Sequence, residues 1–195
     1  MSRRNRFVPH AFIIALLLFA QTGCSRITVT HHVIGARPPL CKTSAHGDKV
    51  VVYWGAAWRA DQKEVATREA IAEQGIKDFF RSTDCLNTLS ISKTVAGRDA
   101  LRATDTEAVS DAKAAGADKV ILIRVEELGP NLIFYLSPIL WETRNEVLLR
   151  IRIINTSTEQ LETDLSTHWF RGGPFTVIGA KSLPTDFAGA LKAIF

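Results

Sequence analysis

Residues 114–129 constrain this chain most: Ala-Ala-Gly-Ala-Asp-Lys runs directly into Val-Ile-Leu-Ile-Arg-Val. Gly116 supplies the positive φ at which a helix stops, and Val120, Ile121, Leu122 and Ile123 follow at once. The pattern predicts a helix feeding a central strand that is apolar on both faces, and such a strand has to be covered on both, or lie at the middle of a sheet with helices on one side and loops on the other. A length of 195 residues allows one ordinary domain plus a short leader.

Other elements can be placed against that strand. Residues 49–54 read Lys-Val-Val-Val-Tyr-Trp, β-branched and aromatic between Gly47 and Gly55, and predict the first main strand. Asp61 stands three residues before Glu64, the spacing of a capping box, so a helix is expected over 62–81. Val65, Ile71, Ala72, Ile76, Phe79 and Phe80 form its apolar stripe, with Glu73 and Lys77 paired on the wet side. Gly75 weakens that helix without ending it. Leu89 and Ile91 mark a short strand over 88–92. Thr104 and Glu107 repeat the capping spacing before a short helix carrying Ala108, Val109, Ala112 and Ala115.

After the central strand, Gly129, Pro130 and Asn131 read as a turn. Segments 146–154 and 161–170 read as a hairpin. Placing Ile153 opposite Leu161, Ile151 opposite Thr163 and Leu149 opposite Leu165 also sets Arg152 against Glu162 and Arg150 against Asp164. A last helix begins near Thr185 or Asp186, with Pro184 close to its start and Phe187, Ala190, Leu191, Ile194 and Phe195 as its stripe. The order predicts an α+β fold, a two-layer sandwich. Its mixed sheet has five or six strands, with two helices and a C-terminal helix packed on it.

The chain opens with Arg3, Arg4 and Arg6 ahead of an apolar run over 11–20, which is signal-peptide hydrophobic length and covers about half of a bilayer core. Thr22, Gly23 and Cys24 resemble the lipobox of bacterial lipoproteins, although Gln21 stands where a leucine is usual. That resemblance implies cleavage before Cys24 and lipidation (palmitate) of the cysteine, and the alternative is an ordinary secretory peptide with a chance cysteine. Residues 1–23 are then the signal peptide, 24–43 a tether with one short strand over 27–33, and 44–195 a single domain. Ser25 stands where an aspartate would resemble an inner-membrane retention signal, which implies the periplasmic face of the outer membrane.

With Cys24 taken as the anchor, Cys41 and Cys85 remain as a pair in an oxidising compartment. In a right-handed strand, helix, strand unit each would precede one of two parallel strands at the same sheet edge, so a disulfide is expected. Two buried free thiols are the alternative. Charge excludes one class of function. The 24 Lys and Arg against 20 Asp and Glu include the three arginines of the leader, so the rest of the chain is close to neutral. It lacks the concentrated basic face that nucleic-acid binding needs.

Strong local signals for chemistry are absent: no phosphate loop, no Gly-X-Ser-X-Gly elbow and no Cys-X-X-Cys. His31 and His32 would point to opposite sides of an extended chain and make a poor chelating pair. His168 and Asp164 read as a solvated strand face rather than a catalytic pair, and His46 and Asp48 as loop residues. Neither a metal nor a cofactor is expected. Trp54 and Trp58 flank a loop and fit the rim of a core better than a contact site.

Residues 132–141 carry Leu132, Ile133, Phe134, Tyr135, Leu136, Ile139, Leu140 and Trp141, more apolar side chains than one strand face can bury. They predict a contact surface for a protein or a bilayer, with Phe134, Tyr135, Trp141 and Trp58 as candidate binding residues. Alternatively the final helix covers the second face.

Taken together, residues 49–54, the Lys-Asp-Phe-Phe at 77–80, the Ala-Gly-Ala-Asp at 115–118 and the Ile-Ile-Asn-Thr-Ser-Thr-Glu-Gln at 153–160 resemble a periplasmic lipoprotein fold. It is the fold shared by the amino-terminal domain of TolB, the curli secretion lipoprotein and the penicillin-binding-protein activator lipoproteins, and the resemblance covers about 49–170. It implies a non-catalytic binding and assembly module, lipid-anchored to the membrane, whose partners are envelope proteins, with a homo-oligomer left open. The alternative class is a small hydrolase of envelope polymers.

Overall fold

A computed structural model describes residues 25–34, 47–94, 100–134, 141–173 and 176–195. Six strands form one mixed sheet: β1 (Arg26–Ile34), β2 (Asp48–Ala56), β3 (Leu86–Lys93), β4 (Lys119–Phe134), β5 (Trp141–Asn155) and β6 (Leu161–Gly172). Their spatial order is β1-β6-β5-β4-β2-β3. Strand β2 pairs in parallel with β3 and β4, and the other neighbours are antiparallel. Helices α1 (Val65–Arg81), α2 (Ala100–Ala114) and α3 (Leu183–Ile194) pack on the sheet, giving the expected α+β fold.

Strand alternation decides which helix covers which face. Val50, Val52 and Trp54 of β2 join Ile121, Ile123 and Val125 of β4 in the main core, closed by α1 and α3. Val51 and Tyr53, with Val120 and Leu122, point the other way onto Ala108, Val109 and Ala112 of α2. The central strand is therefore covered on both faces, as its apolar run requires. Helix α2 ends where Gly116 reaches φ +73°. The Ala117 N–H donates to the Ala112 carbonyl at 2.9 Å and the Gly116 N–H to the Lys113 carbonyl at 3.1 Å, the paired bonds of a Schellman stop.

Four local expectations are corrected. Glu64 lies at φ 54° ahead of α1 and no side chain caps that helix, so the Asp61–Glu64 capping box does not form and the helix starts at Val65. Thr104 lies inside α2, which already begins at Ala100. Gly129, Pro130 and Asn131 do not turn the chain. The ladder between β2 and β4 ends at the Ala56 and Val125 pair, so beyond it β4 is an edge strand on that side, where a proline without an N–H is tolerated.

The β5–β6 register is the fourth. Arg152 faces Asp164, Ile153 faces Thr163 and Ile151 faces Leu165, two residues away from the expected pairing, with an irregularity at Ile153/Ile154. The faces are unchanged, because a slip of two preserves the alternation.

Strand β1 occupies the end of the tether segment nearest Cys24 and pairs along its length with β6, from Arg26 opposite Gly172 to Ile34 opposite Asp164.

Candidate functional site

Strand directions bring several segments to one end of the sheet. The start of β1, the end of β6, the start of β5 and the end of β4 all lie there: Arg26 faces Gly172, Asn145 faces Arg171, and Leu132 faces Thr143. Beyond the Pro130 and Asn145 pair, where β6 stops, the β4–β5 hairpin continues as a two-stranded arm to the Phe134 and Trp141 pair. The chain 176–178 runs alongside it, with the Thr143 N–H bonded to the Thr176 carbonyl at 3.1 Å and the Ile178 N–H to Thr143 Oγ1 at 2.6 Å.

Polar groups fix this end. Asn145, fully buried, donates to Asp186 Oδ2 at 2.7 Å and to Ser182 Oγ at 2.6 Å. Asp186 is buried in the first turn of α3, where the helix dipole favours a carboxylate, and Arg171 approaches it to 3.6 Å. Arg171 also donates to Ser25 Oγ at 3.4 Å, which ties the residue after Cys24 to the end of β6.

The free edge of β4 is closed from the side by α1. Arg68, a cation inside the apolar stripe, donates to the carbonyls of Lys63 (2.7 Å) and Leu128. It runs across Gly129, where a Cβ would fall on its guanidinium. The register irregularity after Val125 sends Glu127 into the same cluster, held by Gln62 at 3.1 Å and Arg59 at 3.3 Å. A cleft of about 400 Å³ beside it is lined by Arg59, Arg124, Glu126, Glu127 and Glu146. Each carboxylate has a partner: Glu126 with Arg124 at 3.2 Å, Glu146 with His168 at 2.6 Å and with Asn131.

Away from that end, Arg150 donates to both oxygens of Asp164, at 2.9 and 2.7 Å. Those bonds hold the Asp164 carboxyl below its ordinary range against the opposing effect of burial, and they raise Arg150. Asp164 thus serves Arg150 and not His168. Lys119 is buried between Glu162 (2.9 Å) and Asp48 (3.1 Å). Burial alone would lower its pKa, but the two carboxylates outweigh that and raise it.

Among the residues singled out from sequence, Cys24, Cys41 and Tyr135 lie outside the described residues. Cys85 is disulfide-bonded. Phe134 and Trp141 are the last pair of the β4–β5 ladder. Trp58 is half-buried against the main core, its indole N–H directed to Glu69 at 3.4 Å, and Trp54 is 1% exposed. His31 bonds Thr167 at 2.9 Å. Among the described residues no group of three His, Cys, Asp or Glu could hold a metal, and no helix is long and apolar enough to cross a membrane. Sequence reasoning missed Glu127, Asn145 and Asp186. Arg68 carried a signal, an arginine three after Val65 and four before Ala72 on an apolar stripe.

No family model matches the chain, and neither does any curated protein. Solved structures give coarse likenesses. The PelC dodecamer from Paraburkholderia phytofirmans is 16% identical over 86% of this chain and 97% of that one, with a TM-score of 0.45. The lipoprotein GNA1162 from Neisseria meningitidis is 10% identical over 75% of this chain and 97% of that one, at 0.39. Protein XCC0632 from Xanthomonas campestris is 11% identical over 80% and 85%, at 0.37. At these identities and scores the likenesses carry no argument about what this chain does.

Proposed function

We propose that this chain is a non-catalytic binding and assembly lipoprotein of the bacterial envelope, anchored through Cys24 at the periplasmic face of the outer membrane. One observation supports it above the others. The Ser25 hydroxyl accepts from Arg171 at 3.4 Å and β1 begins at Arg26, so a lipid on Cys24 would hold one particular end of the sheet close to the membrane. Two or three acyl chains make such attachment effectively permanent, where a single chain would exchange.

In this reading the arm ending at Phe134 and Trp141, with Tyr135, faces the anchor, and the rest of the sheet is offered to envelope proteins. Glu126, Glu127 and Glu146 of the cleft each have a cation, imidazole or amide partner, a structural use. Cys85 is disulfide-bonded, and in this reading Cys41 is its partner. The test is Cys24→Ser expressed in a bacterial host. The variant should leave the membrane fraction and lose the acyl mass, while the lipidated parent, cross-linked in intact cells, should retrieve a stoichiometric envelope partner. Unchanged fractionation and mass would reject the anchor. Turnover of peptidoglycan or ester substrates by protein with no such partner would reject the non-catalytic reading.

A further inference from the structure

The three most exposed large apolar side chains of the described residues are Val177 at 73%, Leu132 at 53% and Ile27 at 51%. They come from three distant parts of the sequence, yet the topology gathers them at one end of the sheet. Ile27 faces Arg171, which faces Asn145. Leu132 faces Thr143, two residues further along β5, and Val177 follows Thr176, which bonds that same Thr143. This is also the end at which Cys24 joins the fold. Leu161, 45% exposed, lies at the opposite end, beside the β5–β6 turn, and Leu89, 41% exposed, lies on the outer strand β3.

Charge at this end fits the same partner. Arg26 is exposed, and Arg144 lies over the Phe170 ring at 5.3 Å. Among the described carboxylates at this end, Asp186 is 1% exposed and engaged by Asn145 and Arg171, and Glu146 is engaged by His168 and Asn131. Exposed apolar side chains at the same end of the sheet as these arginines match the layering of a phospholipid surface, with acyl chains beneath phosphates.

We propose that this end of the sheet is a membrane-docking face, with Ile27, Leu132 and Val177 entering the acyl boundary and Arg26 and Arg144 meeting lipid phosphates. The proposal rests on the anchor reading above and adds an orientation to it. The lipid holds the protein on the bilayer, and the three side chains set the sheet upright on it with the β5–β6 turn pointing away.

Hydroxyl-radical footprinting tests it on the lipidated chain in phosphatidylethanolamine and phosphatidylglycerol nanodiscs, with the unlipidated Cys24→Ser protein in solution as reference. Ile27, Leu132 and Val177 should lose most of their labelling in the nanodisc, while Leu89 and Leu161 keep theirs. Equal labelling of all five in nanodisc-bound protein overturns the docking face and leaves the anchor standing. Protection of Leu89 and Leu161 as strong as that of the other three also overturns it. A chain that does not associate with the nanodisc at all overturns both readings together.

Discussion

Arg68 and Gly129 form a unit. The guanidinium occupies the space a Cβ would take and supplies a donor to the Leu128 carbonyl on the free edge of β4. Gly129 is not at positive φ, so an alanine there costs nothing in backbone conformation and everything in displacement. Gly129→Ala should destabilise the fold by about 2–4 kcal/mol, because it expels a buried cation from its acceptors. In an Arg68→Ala background the same substitution should cost under about 1 kcal/mol, since the obstacle is gone. Denaturant melts of the four proteins measure the coupling, and additive costs would refute it. A second residue-scale case depends on pH. Asp164 is held below its ordinary 3.8 by Arg150, so the pair stabilises the folded state above that pH, and the contribution is lost as pH falls through the lower folded value. Asp164→Asn should cost about 1–2 kcal/mol at neutral pH, a figure kept small because Arg150 is 40% exposed. The gap between parent and variant should close below pH 3.8. A gap that persists in acid would mean that packing, not charge, sets the cost.

Among the elements, α1 shows where sequence pattern informs and where it misleads. Its stripe was legible, and Ala72, Ile76, Phe79 and Phe80 are buried as the spacing required. Gly75 was legible only as a weakness. The structure gives it a use: the Phe187 ring of α3 lies against it, and a Cβ would stand 2.5 Å from that ring. Helix propensity alone says Gly75→Ala stabilises by up to about 1 kcal/mol. The packing says the opposite, and the variant should melt at lower temperature than the parent by thermal denaturation, with the helix content of the folded protein unchanged. A higher melting temperature would show that the helices separate at no cost. The hairpin register failed for a different reason. Apolar alternation and charge complementarity both repeat every two residues, so they fix which face is inward and leave a shift of two undecided. Arg150 found Asp164 diagonally, and Glu162 went to Lys119. The turn expected at Gly129 failed because its proline signal is local, while the freedom of that edge depends on where β2 stops, a fact of topology.

Over the whole molecule the sheet has two unlike ends. One gathers exposed apolar side chains beside the entry of Cys24. The other joins the starts of β2 and β3, where the backbone of Gly47 lies against the Cys85 carbonyl so closely that a Cβ would clash. The central strand, the hairpin and the closing helix were legible because each is set by a local period. The gathering at the anchor end was not, because Ile27, Leu132 and Val177 meet only through strand order. The disulfide expected between Cys41 and Cys85 would close the second end. Asp48, opposite Leu86 at the start of the β2–β3 ladder, is already tied to the buried Lys119, so the bond would be added to a strand start that packing and charge hold in place. Closing a loop of that length stabilises a fold by about 4 kcal/mol in the chain-entropy model, less any strain. Because the start of β2 is held independently, Cys85→Ser should lower the melting temperature without changing the fold. Its β2–β3 amides should exchange with solvent faster than those of β5, whose pairing at the far side of β4 does not depend on the bond. Peptide mapping of exported protein without reductant should give a Cys41–Cys85 linked pair. Free thiols at both positions, or Cys85 linked to Cys24, would reject the pairing, and the second result would remove the lipid anchor with it.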